Sequence, residues 1–249
     1  MTRKTVSALG IVLFVVMSAV SPAWASLVET VYRGAIGSGT DVTGVFGRSD
    51  TSLAGERYTA IYIYNTDIGY SNGDYPLGQG FALGGTDFTP PSPASGYPSP
   101  IVSATLKING HSITINGNAY GVVWADAGQQ RREAYEQDFR GGNVYVYATL
   151  SNSITDPTDT IPENAIGPSK YNVESGDIAN GSFVFEEGDE KSGQRVAYAY
   201  AAILVPQSVS IIPLPSVPET ATWTMMALGF AGLAFGGYRG YRKAKPLAL

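Results

Sequence analysis

The sequence predicts one all-β domain, an antiparallel β-sandwich or a jelly-roll-like fold, preceded by a signal peptide and followed by a transmembrane helix. Three observations favour this fold class. About nine to eleven short segments are rich in β-branched and aromatic residues and are bounded by Gly, Asn or Pro. Glycine occurs 30 times, whereas charged residues make up only 15% of the 249 residues. No motif recurs at the spacing of a solenoid repeat.

The N-terminus has the layout of a secretory signal peptide. Two basic residues follow the first methionine, an uncharged stretch covers residues 5–20, and the small residues Ala23 and Ala25 stand at the positions that a signal peptidase reads. The alternative is a retained N-terminal anchor, against which the Ala23 and Ala25 site argues. We therefore expect residues 1–25 to be removed during export.

The clearest predicted strand is Ile101–Asn109, because its apolar and polar residues alternate and give one buried face. Asn109-Gly110 predicts a tight turn, from which Ile113 and Ile115 return along the sheet. The other predicted strands share a β-branched and aromatic composition. In chain order they are Val28–Ile36, Tyr58–Tyr64, Gly80–Gly84, Val122–Trp124, Val144–Leu150, Ser182–Glu186, Arg195–Val205 and Gln207–Ile212.

One helix and two loops complete the domain, which we place at 26–212. Gln129–Phe139 is predicted as the helix, because two aromatic residues in it stand four positions apart. Prolines predict a surface loop or a stiff crossover at 86–100, since proline cannot donate to a β-ladder. The polar stretch 151–172 predicts a second long loop, and further prolines predict an extended spacer at 213–221.

Residues 222–238 carry no charge and predict a short transmembrane helix, which would span about 25 Å. It is rich in glycine, and two of its glycines have the G-x-x-x-G spacing that permits close helix contact. These glycines are Gly229, Gly232, Gly236 and Gly237. The tail 239–249 contains only basic charged residues, which resist transfer and keep this end cytoplasmic. They are Arg239, Arg242, Lys243 and Lys245.

The segment before this helix carries a resemblance to a known family. It reads Val217-Pro218-Glu219-Thr220, with Trp223 shortly after, and is followed by the Gly-rich helix and the basic end. This order resembles the PEP-CTERM sorting signal, whose name is also attached to some ice-binding proteins. The family usually has a second proline where this chain has Thr220, which bears on the efficiency of processing.

The resemblance implies an exported protein that an exosortase, an inner-membrane protease linked to exopolysaccharide production, recognises and processes. The inner membrane would then hold the chain transiently, before the protein reaches the cell surface or the extracellular matrix. A weaker likeness lies in the domain, where the run 39–47 followed by Leu53-Ala-Gly55 resembles secreted members of unknown activity.

Composition excludes several classes of function. The chain has no cysteine and one histidine, which removes thiol nucleophiles, disulfides and multi-histidine metal centres. Residues 26–218 contain 20 of the 21 acidic and 10 of the 16 basic residues, a net charge of −10 against −5 for the whole chain. Without a basic tract, nucleic acid is not an expected partner. The acidic domain is expected to be soluble and to repel anionic polymers.

Few residues suggest catalysis, so we expect a non-enzymatic protein. His111 next to Ser112 reads as a surface residue beside a turn. Glu133 and Glu136 are the best carboxylate pair for a polysaccharide hydrolase, which is the least favoured alternative. The acidic run 186–190 surrounds a glycine and reads as a solvated hairpin tip.

Calcium is the one cofactor that the sequence leaves open. Oxygen ligands stand in Gly- and Asn-rich turns, although none has the spacing of an EF-hand loop and Asp, Asn and Gly also dominate turns for backbone reasons. The candidate ligands are Asp41, Asp74, Asp156 and Asp159.

Three tyrosine pairs have their members two positions apart, so each pair shares one face of a strand. They are Tyr62/Tyr64, Tyr145/Tyr147 and Tyr198/Tyr200. Core packing between sheets is the favoured interpretation, and an exposed surface that stacks on sugar rings is the alternative. The leading hypothesis is a non-enzymatic surface or exopolysaccharide-matrix protein; a carbohydrate-binding or calcium-dependent adhesion module is the second.

Overall fold

The computed structural model describes residues 27–65, 67–71, 81–126, 128–140, 143–161 and 167–215, and Phe230. Residues Ser26–Pro215 form one compact unit, and both chain ends belong to another, of which only Phe230 is described. No helix within the described ranges is long and apolar enough to cross a membrane. The strands are β1 Leu27–Asp41, β2 Thr51–Ser52, β3 Arg57–Asn65, β4 Phe81–Gly84, β5 Ile101–Ile108, β6 His111–Ile115, β7 Tyr120–Asp126, β8 Gln129–Arg140, β9 Val144–Thr155, β10 Ser169–Asn172, β11 Ile178–Asp189 and β12 Gln194–Pro213.

All strands join one antiparallel sheet in the order β4-β7-β8-β9-β11-β12-β1-β3-β5-β6, with β10 paired to β12 and β2 to β1. A twisted sheet of this size curls so that its faces can be covered. Here it curls until β3 faces β8 and β9, since Tyr58 of β3 donates to Asn152 of β9 and Tyr64 of β3 accepts from Arg132 of β8. The all-β prediction is confirmed. The core lies between two halves of one continuous sheet.

The central strand β12 is 20 residues long and lies between β1 and β11. Separate strands were expected on either side of Pro206, but a single strand runs through it. A register shift between Arg33 and Gly34 of β1 stands opposite the proline, and such a bulge tolerates the missing N–H. A Cβ on Gly34 would lie 2.0 Å from the Val205 carbonyl oxygen, so the two strands approach closely here.

The ends of β1 and β12 meet. Val28 pairs with Pro213, and the Leu214 N–H donates to the Leu27 carbonyl at 2.9 Å. The beginning of the first strand, β1, therefore lies beside the end of the last strand, β12.

The β5–β6 hairpin is confirmed. Asn109 and Gly110 have φ of 51° and 82°, the pair of positive values that a two-residue hairpin turn of type I′ requires. The first turn of the alternation differs from the prediction, which placed Val102 on the buried face. A register shift at the start of β5 turns Ile101 inward and leaves Val102 48% exposed.

The predicted helix Gln129–Phe139 is wrong, because these residues form most of β8. The segment consists of good helix formers, yet β7 and β9 pair with it along its length and its backbone bonds go to those neighbours. Inward residues alternate with outward ones, so that Arg132, Ala134 and Glu136 are buried. Because most inward residues of β8 are polar, as its outward residues are, the sequence shows no alternation of apolar and polar residues that would predict a strand.

The long loop predicted at 151–172 is also wrong in part. β9 extends to Thr155, and Ser169–Asn172 forms β10 on the side of β12. The serines and threonines of β9 face outward, where a strand accepts polar residues. The loop predicted at 86–100 is observed between β4 and β5.

Several predicted features lie outside the described residues. They are the signal peptide with Ala23 and Ala25, the sorting motif 217–223, the transmembrane helix with its glycines, the basic tail, and Asp74 among the candidate calcium ligands. These stay predictions.

Candidate functional site

The three tyrosine pairs occupy different environments. Tyr62 and Tyr64 on β3 are completely buried, so core packing is confirmed for this pair. Tyr145 and Tyr147 on β9 point to the outer face, because the inward residues of that strand are Val146 and its alternate neighbours. Tyr147 is 40% exposed. For the β9 pair the expectation of core packing is wrong, because the sheet buries only one of its two faces here.

Four aromatic residues lie in one row on the outer face, which we call the outer aromatic track: Phe88, Tyr120, Tyr135 and Tyr147. The rings of Phe88 and Tyr120 are stacked with centroids 5.1 Å apart. Tyr120 of β7 is the direct cross-strand neighbour of Tyr135 of β8, whose ring meets that of Tyr147 edge-on at 5.2 Å. The track crosses three strands and offers aromatic surface with a hydroxyl at intervals, the arrangement that suits an amphipathic ligand.

Polar side chains flank the track at Tyr147. The direct cross-strand neighbours of Tyr147 are Gln137 on β8 and Glu186 on β11. Together with Tyr145 they line an open cleft of about 320 Å³, to which Asp138 also contributes. An amide and carboxylates beside an aromatic ring can bind hydroxyl groups while the ring packs against an apolar face.

The Tyr145 ring lies across Gly188, where an added Cβ would sit 2.7 Å from the tyrosine hydroxyl. That hydroxyl donates to Glu186 at 2.5 Å, and this hydrogen bond raises the pKa of Tyr145. Arg195 Nε also donates to Glu186, at 3.0 Å, and the carboxylate raises the pKa of Arg195. Glu186 is thus fixed by two partners, and the side of the cleft that it forms is held in place.

The Tyr198/Tyr200 pair is also on the outer face, so the expectation of core packing is wrong for it too, but the Tyr198 ring is covered by a residue of its own strand. The two rings are tilted against each other at 5.7 Å, and the Arg195 guanidinium lies over the Tyr198 ring at 4.4 Å. A cation over an aromatic face is favourable and occupies that face. Tyr147 of the track is therefore more accessible to a ligand than Tyr198.

The inner face of β8 carries a buried cation. Arg132 is fully buried, and its Nη1 donates to the carbonyl oxygens of Trp124 and Arg131, both at 2.8 Å. Its Nη2 donates to the Tyr64 hydroxyl at 3.0 Å and to Gln130 Oε1 at 3.1 Å. Neutral acceptors hold the charge, because neither ion pair recorded for the described residues includes Arg132. The arrangement ties β8 to β7 and β3.

Asn152 of β9 makes a second polar contact across the core. Its Oδ1 accepts from the Tyr58 hydroxyl at 2.8 Å, and its Nδ2 donates to the Tyr62 hydroxyl at 2.9 Å. Burial raises the pKa of both phenols well above the usual value. These groups hold the sheet closed and have no exposed surface for a ligand.

The hydrolase candidates Glu133 and Glu136 do not form a pair. A spacing of three residues places them on opposite faces of β8. Glu136 is buried and accepts from the Asn116 N–H at 2.9 Å, whereas Glu133 faces outward and forms an ion pair with Arg131. Two carboxyl groups on opposite faces of a sheet cannot act on one glycosidic bond.

His111 lies at the start of the edge strand β6 and is exposed. It lines a shallow depression of about 310 Å³ together with Asp41 and Arg48. Both carboxylate oxygens of Asp41 accept hydrogen bonds from backbone N–H groups of the loop that follows it, so this acid is not an orienting partner for the histidine.

The candidate calcium ligands Asp41 and Asp156 each fold their own loop. Asp41 Oδ1 accepts from the N–H groups of Gly44 and Val45, and Oδ2 accepts from that of Phe46. These bonds set Phe46 into the core. The segment after the end of β1 is therefore a loop stabilised by the Asp41 carboxylate, in which Gly44 has φ of 88°.

Asp156 behaves in the same way. Its carboxylate accepts from the N–H and hydroxyl groups of Thr158 and Thr160, at 2.5 to 2.7 Å, and these bonds lower the pKa of Asp156. Asp159 lies in the same turn with φ of 58°. No group of three or more metal-ligating side chains is found within the described part of the chain. Calcium stays a prediction.

Sequence reasoning missed Tyr120 and Tyr135 as members of the surface. Their proximity depends on the β7–β8 register, and that register was hidden by the helix predicted for Gln129–Phe139. The glycine between Val122–Asp126 and Gln129–Phe139 was the one local turn signal in the sequence.

Comparison with known proteins gives no match: no family model, no curated protein and no solved structure is similar to this chain.

Proposed function

We propose that this protein is an exported, non-enzymatic component of the cell surface or exopolysaccharide matrix that binds polysaccharide through the outer aromatic track. Export and sorting are proposed from the sequence of the two ends. Binding is proposed from the surface of the domain. The observation that carries the binding proposal is the exposed Tyr147 beside Gln137 and Glu186 on one face of the sheet.

Chemistry supports this choice of ligand. A pyranose ring has an apolar C–H face and a rim of hydroxyl groups, so it needs an aromatic surface with hydrogen-bonding side chains at its border. The track supplies the first and the cleft at Tyr147 supplies the second. The carboxylate beside Tyr147, Glu186, is engaged by the Tyr145 hydroxyl and by Arg195, which suits a fixed hydrogen-bonding group in a binding surface.

The sorting proposal has a direct test. If an exosortase processes the tail, the mature protein ends upstream of the transmembrane helix 222–238 and begins near Ser26. Mass spectrometry of the protein from cells would measure both ends. A mature chain that still ends at Leu249 would overturn the processing proposal and leave the binding proposal untouched.

The binding proposal is tested with Tyr147→Ala in affinity electrophoresis against gels that contain soluble polysaccharides. We expect the wild-type domain to be retarded and the variant to lose about 1–2 kcal/mol of binding, a rise in Kd of about five- to thirtyfold. Ile178→Ala is the matched control, because Ile178 is 59% exposed and lies outside the track.

A parallel arm with a chelator separates this proposal from calcium-dependent adhesion. Retardation that disappears on chelation and survives Tyr147→Ala would assign binding to calcium rather than to the track. Equal retardation of the wild type and of Tyr147→Ala without any effect of chelator would also overturn the track as the site.

A further inference from the structure

A second cleft, of about 600 Å³, lies between the proline-rich loop 86–100 and the turn that joins β6 to β7. Its size falls within the usual range of small-molecule sites. The side chains that give it its chemistry are Thr86, Phe88, Tyr97, Ser99, Asn116 and Asn118. None of the described residues that line it is charged, in contrast to the cleft at Tyr147.

The loop is held against the sheet, so the cleft is preformed. Gly85 N–H donates to the Tyr97 carbonyl at 3.0 Å, and Thr86 N–H donates to the Asn118 carbonyl at 3.1 Å. Gly85 has φ of 135°, and an added Cβ would lie 2.2 Å from the Ala119 carbonyl oxygen. A site with fixed walls loses little conformational entropy on binding.

Two side-chain amides of this cleft, those of Asn116 and Asn118, are free for a ligand. Asn116 and Asn118 are exposed, and among the described residues only their backbone atoms form hydrogen bonds. Each side-chain amide presents two donors and a carbonyl acceptor, which match the hydroxyl groups of a sugar. Tyr97 is 46% exposed and supplies an aromatic surface at the same cleft.

Charge narrows the ligand class. The part of the cleft that the structure describes has no cationic side chain to bind a uronate, sulfate or phosphate group, and the net charge of −10 on residues 26–218 repels anionic polymers. Its described lining has no carboxylate to bind an amine either. Uncharged hydroxyl and amide groups around two aromatic rings therefore favour an uncharged sugar.

The cleft is continuous with the outer aromatic track. Phe88 lines the cleft and stacks on Tyr120, the next member of the track, at 5.1 Å. A glycan chain seated in the cleft can therefore extend over Tyr120 and Tyr135 toward Tyr147.

We propose that the cleft under the proline-rich loop is the primary sugar subsite, that Asn116 and Asn118 bind its hydroxyl groups, and that its ligand is an uncharged polysaccharide. The inference rests on the proposed function, because it assigns the ligand class and the tightest subsite of the same surface. The track then extends the contact along the chain.

The test compares an uncharged β-glucan oligosaccharide, the anionic polymer alginate and the cationic polymer chitosan. Binding is measured by calorimetry for the wild type, Asn116→Ala/Asn118→Ala, Tyr147→Ala and the control Asn172→Ala, an exposed asparagine on β10. We expect the uncharged glycan to bind, alginate not to bind, and the double asparagine variant to raise Kd about tenfold or more. Asn172→Ala should bind as the wild type does.

Each result has one meaning. An unchanged Kd in the double asparagine variant together with a weaker Tyr147→Ala overturns this inference and leaves the proposed function standing. Preference for alginate or chitosan also overturns the inference. Absence of binding to every polysaccharide overturns the proposed function itself.

A second readout does not depend on the folding of a variant. Titration of the wild-type domain with the uncharged oligosaccharide should shift the side-chain amide NMR signals of Asn116 and Asn118 and leave that of Asn172 in place. Saturable binding without these shifts would overturn the subsite.

Discussion

Two tyrosine pairs with the same sequence spacing differ in burial and in hydrogen-bond partners, and therefore in role. Tyr62 and Tyr64 on β3 are completely buried, and their hydroxyls are bonded to Asn152 and Arg132 across the core. Tyr145 and Tyr147 on β9 face solvent, where Tyr147 is 40% exposed. A spacing of two residues establishes that both rings share a face, and it leaves open which face of the sheet that is.

The difference follows from what lies opposite each strand. The sheet curls so that the inner face of β3 meets the inner faces of β8 and β9, and buried phenols there need hydrogen-bond partners. Arg132 on β8 and Asn152 on β9 supply these partners. On the outer face the Tyr145 hydroxyl donates to Glu186, and the ring of Tyr147 remains available to a ligand.

The largest effect on stability is expected for a substitution of Arg132, because this side chain is buried. Its neighbour Arg131 lies on the opposite, outer face of β8 and provides the comparison. Arg132→Ala removes four hydrogen bonds and leaves buried acceptors without donors, which should lower the free energy of unfolding by about 3–5 kcal/mol. Arg131→Ala, on the outer face, should change it by about 0.5 kcal/mol or less. Urea denaturation of both variants measures the contrast, and equal losses would show that the inner network does not hold the sheet closed.

A smaller effect is expected for the loss of a single hydroxyl. Tyr62→Phe removes the acceptor of the Asn152 amide and should cost about 1–2 kcal/mol in the free energy of unfolding. Tyr147→Phe should cost almost nothing, because no hydrogen bond is recorded for its hydroxyl among the described residues. Thermal and urea unfolding of the two variants compare the buried and the exposed phenol directly; similar midpoints would contradict the contrast.

The smallest effect on the free energy of unfolding at neutral pH is expected from the ionisation of Tyr62. Burial raises the pKa of Tyr62 above the value of about 10 of an unfolded chain, so this phenol stabilises the fold fully below pH 10 and loses that contribution as the pH rises toward its folded value. We expect the free energy of unfolding to fall above about pH 10. Tyr62→Phe should show a shallower fall than the wild type between pH 9 and 11, and parallel curves would indicate that other groups cause the alkaline loss.

Some of this molecule was predictable from its sequence because the cause is local. Asn109-Gly110 defines the β5–β6 hairpin, since both residues accept positive φ. Ala104 and Leu106 were assigned to the core from simple alternation, and both are fully buried. The loop at 86–100 followed from the inability of proline to donate.

The rest depends on contacts between distant segments. β8 reads as a helix because its inward residues Gln130, Arg132 and Glu136 are polar and hide the period of two. The outer aromatic track required the register of β7 on β8, and the uncharged cleft required the loop to close over the β6–β7 turn. Neither the register nor the closure is encoded in a short motif.

The meeting of β1 and β12 has a consequence for how the domain can be connected. With Leu27 and Leu214 hydrogen-bonded to each other, a few residues would suffice to join them, and new termini could be opened at the exposed Asn109-Gly110 turn. Such a circular permutant should keep the fold. It would also separate the proposed sugar-binding face from the proposed C-terminal sorting sequence, so that either could be carried by a different host protein.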